Sequence, residues 1–323
     1  MRVKDIGERR LIARIRRSFP GKPSGVILGI GDDAAVVRGP GKLVITHDLL
    51  VEDVDFRRRL HPPLLLGRKA LNVNLSDIAA MGARPRHAIL GLALPGEIER
   101  EWFAAFLAGF RDAARRAGVA LVGGDMSGAA RIMISVTVTG EARRFVPRSG
   151  ARAGDRLFVS GTLGDAAMGM RLLERRAKRG NPTYARRLVR TFLDPSPRLE
   201  LGSLLARLGL ASAMIDVSDG LAVDLAHLCE ESGVGAELNL AAIPISSELR
   251  RTSGRPLDLA LHGGEDFELL FAVRPRNLSR LRRLAKRFKL TEIGRFAPGW
   301  KIWAVGMDGI RRPLAIRGYE HFK

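Results

Sequence analysis

Carboxylates in this chain gather behind glycines and at the ends of apolar runs. Asp32 and Asp33 follow Gly29-Ile30-Gly31, Asp48 follows Val44-Ile45-Thr46-His47, and Asp125 follows Gly123-Gly124. Asp216 and Asp219 bracket Val217-Ser218 before Gly220, and Glu265 follows Gly263-Gly264. Adjacent aspartates repel unless solvent or a cation separates them, so the tight Asp32-Asp33 turn points to a metal. Hard oxygens select Mg²⁺ or a similar ion, and the six histidines fall in no zinc-type spacing. An acidic site that holds several such ions normally exists to bind polyphosphate. Two other readings fit the first turn: a plain surface turn, and the G-x-G-x-x-A dinucleotide fingerprint with Glu52 and Asp53 downstream. The fingerprint needs a long helix at the glycines, whereas Ala34 to Val37 run into Arg38-Gly39-Pro40-Gly41, which is hairpin punctuation.

The elements that must position these groups follow from periodicity. A helix is expected over 8–19, then strands over 26–30, 34–37 and 42–46, the last delivering Asp48 at its end. Residues 64–81 read as one helix closed by Gly82, with Lys69, Asn74 and Asp77 as polar letters in an apolar stretch. Asn74 and Asp77 share a face, and there they meet either a metal or phosphate or a satisfied hydrogen-bond network. An amphipathic helix covers 99–117, a short buried strand 119–122 ends in Gly123-Gly124-Asp125, and a strand covers 132–139. Composition shifts to Arg, Pro and Gly at 143–155, which divides the chain into domains 1–145 and 146–323. The second half reads as strand 156–160, a helix from the Gly161–Asp165 turn to 178, helices 184–192 and 198–207, and a strand before Asp216. Asp165 either caps its helix or borders an anion site. A helix over 278–288, a strand over 292–296 and a hairpin at Asp308-Gly309 finish the chain. The class is α/β with two domains.

The chain has 323 residues, 46% of them hydrophobic, enough for two cores. No 18-residue apolar run and no apolar leader stretch occur, so a cytoplasmic protein without a membrane span is expected. The single cysteine, Cys229, falls in a helical pattern and reads as a buried thiol. A net charge of +20 raises the question of nucleic acid, but the basic residues are spread over the polar sides of helices without interleaved aromatics, so a solvated surface is expected. Glutamine is absent, a bias that fits a thermophile.

Eight stretches in register then resemble the thiamine-monophosphate kinase family of the PurM-like, ATP-binding superfamily. They are GIGDDAAVV, NVNLSDIAAMGARP, GGD, RSGARAGD, SGTLGDAAMGM, PSPRLELG, IDVSDGL and GGEDFELLF. The resemblance implies an N-terminal α/β domain whose mixed sheet pairs across a homodimer, and a C-terminal α+β domain. It implies Mg²⁺-dependent transfer of the γ-phosphoryl group of ATP to thiamine monophosphate. Carried onto this chain, it assigns several magnesium ions to Asp33, Thr46, His47, Asp48, Asp77, Asp125, Asp216 and Asp219. Gly124, Asp125, Arg148 and Ser218 would contact ATP, and Asp55, Glu265 and Ile316 the acceptor. A phosphate monoester is mostly ionised at pH 7, so no single acid or base is expected.

The chain departs from the family pattern on the acceptor side. Val51-Glu52-Asp53-Val54-Asp55-Phe56 stands where the family has Val-Glu-Gly-x-His-Phe. Asp53 thus replaces a glycine and Asp55 a histidine. Ile316 stands before Gly318-Tyr319 where an aromatic is common, and His47 replaces a hydroxyl residue. Selenophosphate synthetases carry a reactive cysteine or selenocysteine and lysine near the N-terminus, and hydrogenase-maturation dehydratases a terminal cysteine; neither feature is present.

Overall fold

The computed structural model describes residues 25–28, 32–38, 41–176, 185–306 and 308–319. The expected helix over 8–19, the Gly29–Gly31 turn and the end of the helix expected to reach 178 lie outside the described residues.

Six strands form the first sheet: β1 (Val26–Leu28), β2 (Ala35–Arg38), β3 (Lys42–Val51), β4 (Arg84–Leu94), β5 (Ala120–Gly128) and β6 (Met133–Ala142). Their order is β1-β2-β3-β6-β4-β5, antiparallel except for the parallel β4–β5 pair. Two helices, α1 (Pro63–Ala80) and α2 (Arg100–Ala117), pack with one sheet face into a core that includes Leu71, Leu75, Ile78, Phe106, Phe110, Val136 and Val138. Side chains alternate across a strand. The other face therefore carries His47, Leu49, His87, Ile89, Thr137 and Thr139, with Leu49 at 52% and Ile89 at 48% exposed.

Two strand expectations need correction. β3 does not end at Thr46 but continues to Val51, because β6 pairs with it over its whole length, so Asp48 sits mid-strand. The strand expected as short and buried at 119–122 is β5, nine residues long and exposed at every position. It is the edge of the sheet, paired only through β4, so its apolar residues Leu121, Val122 and Met126 have no cover among the described residues. Gly123, Gly124 and Asp125 are strand residues rather than a turn.

The second sheet has seven strands: β7 (Arg156–Ser160), β8 (Ala211–Asp216), β9 (Gly235–Asn239), β10 (Leu269–Val273), β11 (Leu290–Ala297), β12 (Ile302–Val305) and β13 (Arg311–Pro313). The order is β13-β12-β9-β11-β7-β10-β8. The flanking helices are α3 (Asp165–Arg176), α4 (Ala185–Leu193), α5 (Leu199–Arg207), α6 (Leu221–Ser232), α7 (Ser247–Thr252), α8 (Pro256–His262) and α9 (Leu278–Phe288). β10 is buried at all five positions, as the continuous apolar run Leu269-Leu270-Phe271-Ala272-Val273 requires of a central strand covered on both faces. Ala79 and Ala80 at the end of α1 share a core with Phe158, Leu201, Leu205, Met214 and Phe271, so α1 is built into both layers. It runs from the first sheet to the second and carries polar side chains into the seam. Cys229 is buried on α6, and burial pushes its thiol up to about 12.

Candidate functional site

Three carboxylates from three separate elements converge. Asp33 lies just before β2, Asp77 in the last turn of α1 and Asp216 at the end of β8; their oxygens lie within 4.8 Å of one another. Each is tied to a fixed neighbour. Arg148 grips Asp33 with both arms of its guanidinium, Nε to Oδ2 and Nη2 to Oδ1, each at 3.0 Å. Thr46 donates its hydroxyl to Asp77 Oδ2 at 2.5 Å, and Ser76 donates to Asp216 Oδ2 at 2.5 Å. Burial above all, and then the Asp48 charge for Asp77 and the Asp33 charge for Asp216, hold these carboxyls well above the usual 3.8. Among hard oxygen donors this crowding is relieved by a divalent cation, and three carboxylates within bridging distance are a fitting donor set for Mg²⁺.

Asp32 does something different from its neighbour. It accepts the Arg148 N–H at 2.9 Å and the Asp33 N–H at 3.0 Å, so it orders the turn while Asp33 faces the cluster. Burial first, and the Asp33 charge second, push it up to about 7.

The cluster opens into a cavity of about 500 Å³ between the two sheets. Asp48, Asp77, Asp216, Ser218, Asp219 and Glu265 line it, and apolar wall is supplied by Val54, Val73, Met170, Phe192 and Phe267. Burial and the Asp55 charge raise Asp48 to about 6. Asp55, also in the lining, accepts the Val51 N–H at 2.8 Å. Ser218 and Asp219 sit in the turn from β8 to α6, and Asp224, buried in the first turn of α6, accepts the N–H groups of Asp219 and Gly220 at 3.2 and 3.0 Å.

Opposite that turn, the 263–268 loop is pinned at each side chain. Glu265 reaches Lys69 of α1, with Nζ 2.8 Å from Oε1. Asp266 accepts the Gly164 and Ala166 N–H groups at the start of α3 at 2.6 and 3.1 Å. Glu268 pairs with Arg198 and Ser160. Backbone bonds from Glu265 N to Ser218 O at 2.7 Å and from Phe267 N to Val217 O at 2.8 Å bring the two loops together. A Cβ at Gly264 would lie 2.4 Å from Ser218 O, so only glycine permits this approach. Glu265 and Phe267 hold left-handed backbone, φ 68° and 50°, each at a cost of about 1–2 kcal/mol that the surrounding bonds offset.

Not every sequence candidate joins the cluster. His47 follows Thr46 on β3 and so points to the opposite face, where Nδ1 lies 2.9 Å from Thr137 Oγ1; strand alternation removes its side chain from the metal. Gly124 and Asp125 are exposed on β5, outside the cavity lining. At Gly124 a Cβ would lie 2.0 Å from Leu90 O, a packing reason for that glycine in its own right. Ile316 is 42% exposed and does not line the cavity; Gly318 and Tyr319 do, with Tyr319 N bonded to Asp219 O at 3.2 Å. Asn74 donates Nδ2 to Ala70 O at 3.2 Å while its Oδ1 is buried without a hydrogen-bond partner, so the satisfied network is only half made there, whereas Asp77 joins the acidic cluster. The sequence reading missed Ser76, Asp224 and the role of Lys69. Only Lys69 left a signal, as a cation in an apolar helix.

Two family models match, AIR synthase related protein, N-terminal domain over 31–142 and C-terminal domain over 152–305. Curated thiamine-monophosphate kinases from Aquifex aeolicus and Salmonella typhimurium are 36% and 37% identical, over 100% and 98% of this chain and of each relative. The chain belongs to the thiamine-monophosphate kinase family. Among solved structures, AaThiL complexed with AMPPCP and TMP matches with a TM-score of 0.90 and 36% identity over 99% of each chain. The hydrogenase maturation protein HypE in complex with ATP matches at TM-score 0.70 and 20% identity over 92% of this chain and 91% of that one, a likeness of fold alone. The mixed α/β, PurM-like class expected from the sequence thus holds, and Asp33, Asp77 and Asp216, from three of the stretches that carry the resemblance, are the residues that converge.

Proposed function

We propose that this protein phosphorylates thiamine monophosphate with ATP to give thiamine diphosphate. The observation that carries the reading is the full-length match to thiamine-monophosphate kinases, whose relative AaThiL is complexed with AMPPCP and TMP. The site supports it chemically. The acceptor is itself a phosphate, so the difficulty is to bring two anions together in line rather than to remove a proton. Asp33, Asp77 and Asp216 would hold Mg²⁺, with Thr46, Asp48 and Asp219 as further oxygen donors. When bound, such ions would supply positive charge against the two phosphates. Arg148 is a fixed cation beside them for the ATP phosphates, and Ser218 lies on the cavity wall. The apolar, acid-lined remainder of the cavity suits a flat cationic heterocycle on the far end of the acceptor, with Asp55 and Glu265 toward it. Tyr319, rather than Ile316, offers the aromatic face there.

The reading extends to assembly. The uncovered face of the first sheet and the exposed edge β5, with Leu121 at 50%, Val122 at 60% and Met126 at 61% exposed, fit a second copy of this chain, giving a homodimer. The domain division near residue 146, cytoplasmic residence and adaptation to heat complete the proposal. Among the described residues no helix is long and apolar enough to cross a membrane.

The test is turnover of ATP with Mg²⁺ and thiamine monophosphate, with thiamine and other phosphorylated acceptors in parallel. Thiamine diphosphate formed from the monophosphate alone is the expected result. ATP binding without transfer to that acceptor would overturn the substrate assignment.

A further inference from the structure

Lys69 heads the largest fully buried side chains among the described residues, at 1% exposed. A buried ammonium is costly unless it is paired, and its helix neighbours Leu66, Ala70 and Val73 offer it nothing polar. Its position on α1 explains what it is for. Residues 69, 73 and 77 fall at i, i+4 and i+8 and share one face, and both Val73 and Asp77 line the cavity. At 1.5 Å per residue, Lys69 stands about 12 Å before Asp77 along the helix axis. One rigid helix therefore carries a metal-site carboxylate at one end of the cavity floor and a buried cation at the other.

The cation is directed at the lining. Nζ lies 2.8 Å from Glu265 Oε1 and 4.1 Å from the centre of the Phe192 ring, and both residues face the cavity. The contact with Glu265 is an ion pair, since no acceptor lies in a hydrogen-bonding direction from Nζ. Glu265 is held from behind by its N–H to Ser218 O at 2.7 Å and by left-handed backbone, while its side chain remains 32% exposed. Oε1 thus belongs to Lys69, and the other oxygen is left for a ligand in the cavity. The adjacent His61, 2% exposed, adds no competing charge: burial first and the Lys69 charge second push it down to about 3.

We propose that Lys69 is a positioning residue for the acceptor, fixing the Glu265 carboxylate two helical turns from the Asp77 end of the site so that it meets the cationic part of a phosphorylated acceptor. This rests on the thiamine monophosphate reading above. It predicts a split between acceptor binding and chemistry, because Lys69 meets Glu265 and Phe192 and stands about 12 Å along the helix from Asp77 of the carboxylate cluster.

The experiment is steady-state kinetics of the full chain with ATP, Mg²⁺ and thiamine monophosphate, on wild type, Lys69→Met, Lys69→Arg, Glu265→Gln and the Lys69→Met/Glu265→Gln double variant. The expected result is an acceptor KM raised about tenfold in Lys69→Met, with kcat and the KM for ATP within about twofold of wild type and partial recovery in Lys69→Arg. The double variant should be no worse than the poorer single one, because the two side chains act as one unit. An unchanged acceptor KM, equal losses for ATP and acceptor, or additive effects would each overturn the proposal. Should Lys69→Met fail to fold, Glu265→Gln decides: an acceptor KM at the wild-type value overturns it as well. Wild type inert toward thiamine monophosphate would overturn the functional reading itself, whereas active wild type with an unaffected Lys69→Met overturns only the role of Lys69.

Discussion

The two ends of the cavity are built on different principles. At the phosphate end, Asp33, Asp77 and Asp216 come from a strand approach, a helix and a strand end, and each is fixed by Arg148, Thr46 or Ser76. At the acceptor end, the side chains come from the 52–56 turn, the 263–268 loop and the 316–319 strap. Three of the four left-handed non-glycine residues described, Asp53, Glu265 and Phe267, sit in that end. On the proposed function, regular elements would hold the part of the site that brings two anions together, and strained loops the part that meets the rest of the acceptor, where substitutions could be absorbed without moving Asp33, Asp77 or Asp216. That is also where this chain departs from its family's pattern.

The largest expected effect breaks the phosphate end. Asp77→Asn or Asp216→Asn removes one charge from the triad while keeping its shape, and kcat at saturating Mg²⁺ should fall by at least about 10²-fold, on the scale of losing one preorganised electrostatic group. Turnover near wild type in either variant would remove that residue from the metal site. Arg148→Ala comes next. It leaves Asp33, whose side chain is 0% exposed, without its guanidinium partner, and breaking such a buried pair costs about 3–5 kcal/mol. Chemical denaturation should show that loss together with a raised KM for ATP; Mg²⁺ should restore part of the stability, since it would replace the missing positive charge.

A subtler contrast concerns pH. Burial holds the Asp77 and Asp216 carboxyls well above their usual 3.8, with the Asp48 charge next for Asp77 and the Asp33 charge next for Asp216. A carboxyl with a raised folded pKa binds its proton more tightly folded than unfolded. Its contribution to stability is complete below pH 4 and is lost as pH rises through the folded value. Without divalent ions, the melting temperature should therefore fall from mildly acidic to neutral pH. Mg²⁺ binds the ionised form, so it should raise the melting temperature more at pH 8 than at pH 5. An equal rise at both values would mean that the ion binds elsewhere.

Much of this end of the cavity is legible in the sequence because carboxylates at glycine-flanked turns beside apolar runs are a local signal. That signal marks Asp33 and Asp216, whereas Asp77 stands out only as a polar residue inside an apolar helix. What failed was whatever depends on strand length and pairing. His47 was grouped with Thr46 and Asp48 by adjacency in sequence, but alternation along the ten residues of β3 sends it to the other face. Asp125 was placed at a strand end, yet β4 carries the pairing past it and leaves it exposed on the edge strand. Ser76 and Asp224 act only through partners far along the chain or on a turn whose shape no spacing reveals. Lys69 stood out as a polar letter, but the carboxylate it serves lies in the other half of the chain.

The smallest expected effect tests the acceptor end through its backbone. Asp53 stands where the family pattern has glycine and holds φ 66°, a region that aspartate tolerates better than most residues but that still strains it. The Asp53 side chain is 55% exposed and pairs with the equally exposed Arg131 at 3.4 Å, a contact worth little in water. Asp53→Gly removes the strain but gains freedom in the unfolded chain, so the two effects should leave stability within about 1 kcal/mol of wild type. The acceptor KM should stay within about twofold, because Asp53 lies outside the cavity lining whereas Val54 and Asp55 belong to it. A large change in acceptor KM would show that the turn itself, and not only Asp55, selects the acceptor, and the division between a rigid phosphate end and a tolerant acceptor end would have to be redrawn at this position.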